Sequence, residues 1–303
     1  MLRVVFFGTP EFSIPSLERL KDKISLVITK PDKPQGRGLK LTPTPVKLKA
    51  QELGIPVLSP EKLNEVKDKL LGFDLGVVVA YGLIIPKRII ELFPKGVINL
   101  HPSLLPKYRG PAPIQWAILN GEEETGVSII YLTEELDAGD IILQEKVKIL
   151  PEDTAETLSA RLSIIGAEAL EEAVRLIEID NVNPMRQEVL GLSTYAPKIE
   201  PEMGEIDWNA KSRDIINKIR AFIPWPKAYF YRGSIKVDVL EAEASSIKGE
   251  PGKVIEIGEK GILVGSQDGG IWLKKVQPES RKAISGLDFA NGYRLKIGEI
   301  LTK

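Results

Sequence analysis

The chain has 303 residues, 43% hydrophobic and 27% charged, with a formal net charge of −1. That composition supports a buried core and excludes a disordered chain and a bulk polyanion binder. No cysteine and a single histidine exclude disulfides, a thiolate nucleophile, Cys-ligated zinc and any multi-His metal site within one chain.

In chain order, "LRVVFF" ended by "GTP" reads as a buried parallel strand with a turn into a helix, "SIPSLERLKD". "ISLVITK" is a second strand, and "VKLKAQELG" is a helix closed by Gly54. "DLGVVVAYG" is a third strand, "PKRIIELFP" a helix between prolines and "GVINLH" a fourth strand. Strands alternating with helices predict an α/β fold with a doubly wound, mostly parallel sheet. "PIQWAILNGE" fits a helix, and "TGVSIIYLT" and "GDIILQEKVKI" fit further strands. "TAETLSARLSIIGAEALEEAVRLIEID" is a long amphipathic helix with Thr154 as its cap. Residues 181–205 break every period, hold three prolines and read as a linker. Beyond the helix "SRDIINKIRAF" come short β-like runs whose spacing predicts a small antiparallel barrel. The expected division is thus a domain over 1–180, a linker over 181–205 and a β domain over 206–303.

Charge divides along the same line. Residues 206–303 hold 17 Lys and Arg against 12 Asp and Glu, a net of +5, and residues 1–205 a net of −6. Such asymmetry predicts different partners for the two parts. The N-terminus has only a short apolar run before Gly and Pro, neither a signal peptide nor a membrane span. A soluble cytoplasmic protein, without membrane contact, is the expectation.

Three stretches carry chemistry. The first turn, "FFGTPEF", has one glycine and no following GK[ST], so it reads as a tight turn and not as a dinucleotide or phosphate loop. The stretch Lys30–Lys49 carries Lys30, Lys33, Arg37, Lys40, Lys47 and Lys49 against Asp32, with four prolines and two glycines that prevent regular structure over most of it. It is either a solvated loop or a grip on phosphates. The third stretch is "NLHPSLLPKYRGPAP", Asn99–Pro113, which holds the sole histidine. Strand alternation puts Asn99 and His101 on one face at the C-terminal end of a parallel strand, where ligands bind. An amide N–H can donate to a developing oxyanion, and an imidazole can move a proton near neutral pH. Asp137 of "EELDAGD" is the candidate carboxylate beside the imidazole. The pattern alone is compatible with a satisfied turn or with catalysis. Trp225 in "AFIPWP" and Trp116 read as packed aromatics, and Glu122–Glu124 as a solvated turn.

"NLHPSLLPKYRGPAPIQWAI" followed by "LDAGDII" resembles the formyltransferase family that uses 10-formyltetrahydrofolate. "FFGTPEF", "PDKPQGRGLKLTPTPVK", "IRAFIPWPKAYF" and "VQPESRKAISGLDFANGYR" resemble the branch of that family acting on aminoacylated tRNA. The resemblance spans essentially the whole chain. It implies a Rossmann-like catalytic domain and an OB-like C-terminal barrel. It implies formyl transfer to methionyl initiator tRNA, for translation initiation, by a monomer that needs no metal. It implies that Asn99 stabilises the oxyanion, that His101 transfers protons and that Asp137 orients and tunes His101. Ser103, Leu104, Leu105 and Pro106 would line the folate pocket, with the backbone of Tyr81, Gly82 and Leu83 near the pterin. Lys33, Arg37, Lys40 and Lys47 would contact tRNA, as would the positive β domain. Rival readings are an amino-sugar nucleotide formyltransferase, a glycinamide ribonucleotide formyltransferase and an RNA-binding protein with an inactive catalytic fold. The basic stretch disfavours the first, the extra C-terminal hundred residues the second, and the intact Asn, His and Asp the third.

Overall fold

The computed structural model describes residues 2–35 and 40–302, with the backbone only at Gln35 and Lys40. The chain divides into two compact units. The first comprises residues 1–113, 124–148 and 159–196, and the second residues 114–123, 149–158 and 197–303.

The first unit is built on β1 (Val4–Gly8), β2 (Ile24–Ile28), β5 (Val57–Leu58), β6 (Leu75–Val79), β7 (Val97–His101), β8 (Glu124–Tyr131) and β9 (Ile141–Lys148). They form one sheet in the order β5-β2-β1-β6-β7-β8-β9. The first five strands in that row are parallel. β8 and β9 continue it antiparallel. β1 and β6 are buried at every position, which is why they read as unbroken apolar runs and not as alternating strands. Helices α1 (Ile14–Arg19), α2 (Pro45–Glu52) and α3 (Lys87–Ile90) lie in the connections, and α5 (Ala155–Glu178) follows β9. α2 ends as expected, with Gly54 in the left-handed region at φ +70°. The chain leaves β1 toward β2 and later returns to β6 on its other side. The crevice at the C-terminal ends of β1 and β6 is therefore the ligand position of an open α/β sheet.

The start of α5 is capped from both sides. The Thr157 N–H donates to Thr154 Oγ1 at 3.2 Å, and the Thr154 N–H donates to Thr157 Oγ1 at 3.0 Å. Further along, Gly166 lets α5 lie against Leu100, since a Cβ there would come within 2.6 Å of the Leu100 side chain. Leu100 thus faces α5, and Asn99 and His101 face the other side of the sheet.

The basic stretch is more regular than its composition predicts. β3 (Lys33–Gln35) and β4 (Lys40–Thr42) pair as an antiparallel ribbon. Pro34 is tolerated because a two-stranded ribbon leaves one hydrogen-bonding edge of each strand unused.

The second unit carries β10 (Ala228–Arg232), β11 (Ile235–Ser245), β12 (Val254–Gly258), β13 (Gly261–Gly265), β14 (Gly270–Pro278) and β15 (Ile284–Ser285), with helices α4 (Pro113–Leu119, all but Pro113), α6 (Ser212–Ala221) and α7 (Gly286–Gly292). The antiparallel sheet runs β10-β11-β14-β13-β12, and β15 adds to β14. The C-terminal segment joins its two edges. It exchanges bonds between Thr302 and Tyr231 beside β10 at 3.0 Å, and the Val254 N–H of β12 donates to Glu299 O at 2.8 Å. This segment bridges the two edges of the sheet, in the manner of the expected small barrel. Its interior holds Trp208, Phe230, Val237, Val254, Ile271, Leu273 and Phe289.

The period-breaking stretch 181–205 is divided at Ala196, its first part belonging to the first unit. Ile141 and Met185 exchange backbone bonds at 2.8 Å, and the Arg109 N–H donates to Thr194 O at 2.9 Å. Trp225 departs from the sequence reading: it is 54% exposed, between Pro224 and Pro226, both of which follow cis peptide bonds. Trp116 is half-buried and donates its indole N–H to Pro197 O at 2.8 Å. Among the described residues no helix is long and apolar enough to cross a membrane.

Candidate active site

β7 delivers Asn99 and His101 to the C-terminal edge of the sheet. Asn99 pairs with Val78 and Ile130, and His101 with Ser128. The Asn99 side chain is partly exposed and takes no hydrogen bond from the described residues. Its amide is therefore a donor not committed to the fold.

His101 is 4% exposed. Its Nε2 lies 2.9 Å from the Tyr108 carbonyl, which can only accept, so Nε2 carries the hydrogen. Nδ1 then faces Asp137 Oδ2 at 3.6 Å, an electrostatic contact too long for a strong hydrogen bond. Burial holds the imidazole pKa below its ordinary 6.5, against the opposing pull of the Asp137 carboxylate and the Tyr108 carbonyl. At neutral pH the ring is thus neutral, with its lone pair on Nδ1. The orienting bond comes from Tyr108, which the sequence reading did not single out, and Asp137 acts on the ring through its charge.

Asp137 is set by its own anchors. Its Oδ2 accepts from the Gly110 N–H at 2.8 Å, and its backbone is left-handed at φ +50°. Gly110, at φ +112°, allows the close approach: a Cβ there would meet the Tyr195 ring at 2.6 Å and Ala196 O at 2.7 Å. The Gln187 side-chain amide binds the Asp137 and Gly139 carbonyls at 2.7 and 2.8 Å.

The wall after His101 uses its polar groups internally. Ser103 Oγ donates to Lys107 O at 2.7 Å, and Ser103 O accepts from Ser128 Oγ at 2.6 Å. The Leu105 N–H donates to Ser128 Oγ at 3.1 Å, and Leu105 O accepts from Gln144 Nε2 at 2.9 Å. Pro106 O accepts from the Thr194 N–H at 3.2 Å. Ser103–Pro106 is therefore a rigid wall, with Leu104 half-buried and Leu105 and Pro106 buried. Ser128, Gln144, Gln187 and Thr194 escaped the sequence reading. Only Ser128 had a signal there, a polar residue in a buried strand.

After β6 the chain turns through Ala80 and Gly82, both left-handed, at φ +46° and +73°. The Tyr81 ring belongs to the core, edge-on to Phe7 at 5.7 Å, and its phenol is pushed up to about 12 by burial. The Tyr81 carbonyl accepts from Thr9 Oγ1 at 2.9 Å, which ties the β1 and β6 turns together. Gly82 and Leu83 are exposed at the same sheet edge.

Of the cationic residues, Lys33 is exposed and Lys47 is paired with Asp32 at 2.8 Å. Arg37 lies outside the described residues, and of Lys40 only the backbone is described. Among the described residues no group of three or more His, Cys, Asp or Glu could hold a metal ion.

Comparison with known proteins gives the family of the chain. The family described as formyl transferase matches residues 2–174, and the formyl transferase C-terminal domain matches residues 198–294. The chain is 42% identical to the methionyl-tRNA formyltransferase of Thermodesulfovibrio yellowstonii over 97% of both chains. It is 45% identical to that of Dictyoglomus turgidum over 98% of both. Among solved structures, an N-formyltransferase from Helicobacter canadensis in complex with folinic acid and dTDP-3-aminofucose shares the fold. The TM-score is 0.69 at 24% identity, over 89% of this chain and 98% of that one. HypX from Aquifex aeolicus in complex with tetrahydrofolic acid matches 98% of this chain and 48% of its own, with TM-score 0.66 at 19% identity.

Proposed function

From the premise that the chain belongs to the formyl transferase family, we propose that Asn99, His101 and Asp137 carry its reaction. The chain is an enzyme that transfers the formyl group of 10-formyltetrahydrofolate to the amino group of methionyl initiator tRNA. The observation that carries this is identity near 40% to methionyl-tRNA formyltransferases along the full length of both chains. The same reading makes it a monomeric cytoplasmic protein.

The site fits the folate co-substrate in its chemistry. It offers an uncommitted amide at Asn99, a neutral buried imidazole and apolar walls at Leu83 and Leu104. Bound 10-formyltetrahydrofolate supplies an acyl carbon on nitrogen. The Asn99 amide donates to the formyl oxygen, where negative charge grows as the amine adds. His101 Nδ1 would take the proton that the amine must lose, the imidazolium so formed lying beside the Asp137 carboxylate. It would return that proton to the folate nitrogen as that nitrogen's bond to the formyl carbon breaks and tetrahydrofolate leaves. Ser103, Leu104, Leu105 and Pro106, with the Tyr81–Leu83 backbone, line the folate side. Lys33, Arg37, Lys40 and Lys47 are the candidate contacts to tRNA phosphates, and Lys47 would make its contact by exchanging its Asp32 partner.

Because His101 acts as a base with a pKa held below 6.5 by burial, kcat/KM is lost as pH falls through that lower value. A pH–rate profile whose acid limb lies at or above 6.5 contradicts the assignment. Arg37→Ala is expected to raise KM for aminoacyl-tRNA with folate KM unchanged. Equal loss for both substrates speaks against tRNA contact. The decisive assay pairs 10-formyltetrahydrofolate with methionyl initiator tRNA, with amino-sugar nucleotides as controls. Formylation of the sugar and not of the tRNA rejects the proposal.

A further inference from the structure

Gln187 is 1% exposed, in a stretch that the sequence marks only as irregular. All of its hydrogen-bonding capacity is used. Nε2 donates to Asp137 O at 2.7 Å and to Gly139 O at 2.8 Å, and Oε1 accepts from Arg109 Nη2 at 2.8 Å and Nε at 3.1 Å. The bonds close a circuit. Gln187 holds the Asp137 carbonyl, the Asp137 carboxylate holds the Gly110 N–H, and Arg109, next in the chain to Gly110, returns to Gln187. The backbone of Arg109 is clamped as well, by Thr194 and Ala196. Asp137 sits at φ +50°, a conformation that a non-glycine residue keeps only where its surroundings over-determine it. The Gln187 amide and the Gly110 N–H are buried groups that do so.

Resting on the reading of His101 and Asp137 above, we propose that Gln187 is a positioning residue for formyl transfer. Its amide locks the Asp137 loop and the Arg109–Gly110 backbone together, and so holds the carboxylate facing His101. The other charged groups around the circuit are Arg109, Glu135, Arg186 and Glu188. Arg109 is bound to Glu135 at 3.1 Å, and Glu135 is 76% exposed. Arg186 pairs with Glu188 at 3.5 Å, both largely exposed. Among the charged groups, the Asp137 carboxylate is the one that acts on the His101 imidazole.

The sole histidine makes the test direct, because the full chain gives one imidazole Cε1–H signal to titrate by NMR. That titration and formylation kinetics are measured for wild type, Gln187→Leu, Gln187→Glu and Asp137→Asn. Gln187→Leu is expected to lower kcat roughly 10- to 100-fold with folate KM little changed, since a small displacement of a positioned group carries losses of that order. It is also expected to move the His101 titration downward, toward that of Asp137→Asn, because the imidazolium loses its carboxylate. Gln187→Glu sets a carboxylate oxygen against two carbonyls and is expected to lose as much. It is isosteric and keeps the Arg109 partner, so it decides the matter by the same readouts if Gln187→Leu fails to fold. A lowered melting temperature with an unmoved His101 titration means a structural role only and overturns the proposal. So does wild-type turnover in both Gln187 variants while Asp137→Asn is impaired, and the active-site reading then stands. Wild-type turnover and titration in Asp137→Asn overturn both.

Discussion

Asn99→Ala is expected to slow formyl transfer about 100- to 1,000-fold, the usual loss when one oxyanion donor is removed. The side chain is partly exposed and makes no bond to the described residues, so the fold does not depend on it. Its neighbours in the sheet, Val78 and Ile130, are paired through the backbone, which alanine keeps. The loss therefore falls on kcat with the melting temperature near that of wild type. Single-turnover rates with saturating folate and methionyl-tRNA check this. A rate within a few-fold of wild type, or a loss carried by KM alone, removes Asn99 from the reacting centre.

His101→Gln is expected to cost about 100- to 10,000-fold in kcat, the range for loss of a general base. Glutamine is chosen because its amide nitrogen can reach the position of Nε2 and still donate to the Tyr108 carbonyl. That bond keeps the loop from Pro102 to Tyr108 in place, so the variant separates proton transfer from loop structure. The acid limb of the pH profile disappears with the imidazole. A variant that keeps the limb has its titrating group elsewhere, and one that keeps full turnover needs no base at this position.

The two variants differ in what they would teach. Asn99 has no side-chain hydrogen bond among the described residues, and the role proposed for it rests on where the strand ends. His101 is buried, held at Nε2 by the Tyr108 carbonyl, with Nδ1 facing the Asp137 carboxylate. Its chemistry depends on those loops being held, which is where Gln187, Arg109 and Gly110 enter.

Much of this protein is legible along the chain. Apolar runs such as "LRVVFF" have a local cause, burial on both faces, and they identify the parallel strands without tertiary information. Strand alternation places Asn99 beside His101, and Thr154 and Gly54 mark helix ends, because caps and periodicity are set within a few residues. The family resemblance likewise rests on contiguous motifs.

What the chain order could not decide involves residues brought together from far apart. Tyr108 as the acceptor for His101 depends on the path of a proline-rich loop. Gln187 reaches Asp137 across 50 positions and Arg109 across 78, from a stretch whose missing period suggests a mere linker. Trp225 reads as core by its chemistry and yet lies exposed. Sequence determined the sheet, the strand ends and which candidate side chains stand there, since backbone conformation and burial pattern are local. Tertiary structure alone decided the tautomer of His101, its neutral state and the lock on Asp137, since hydrogen-bond partners and desolvation are set by whatever the fold packs against a group.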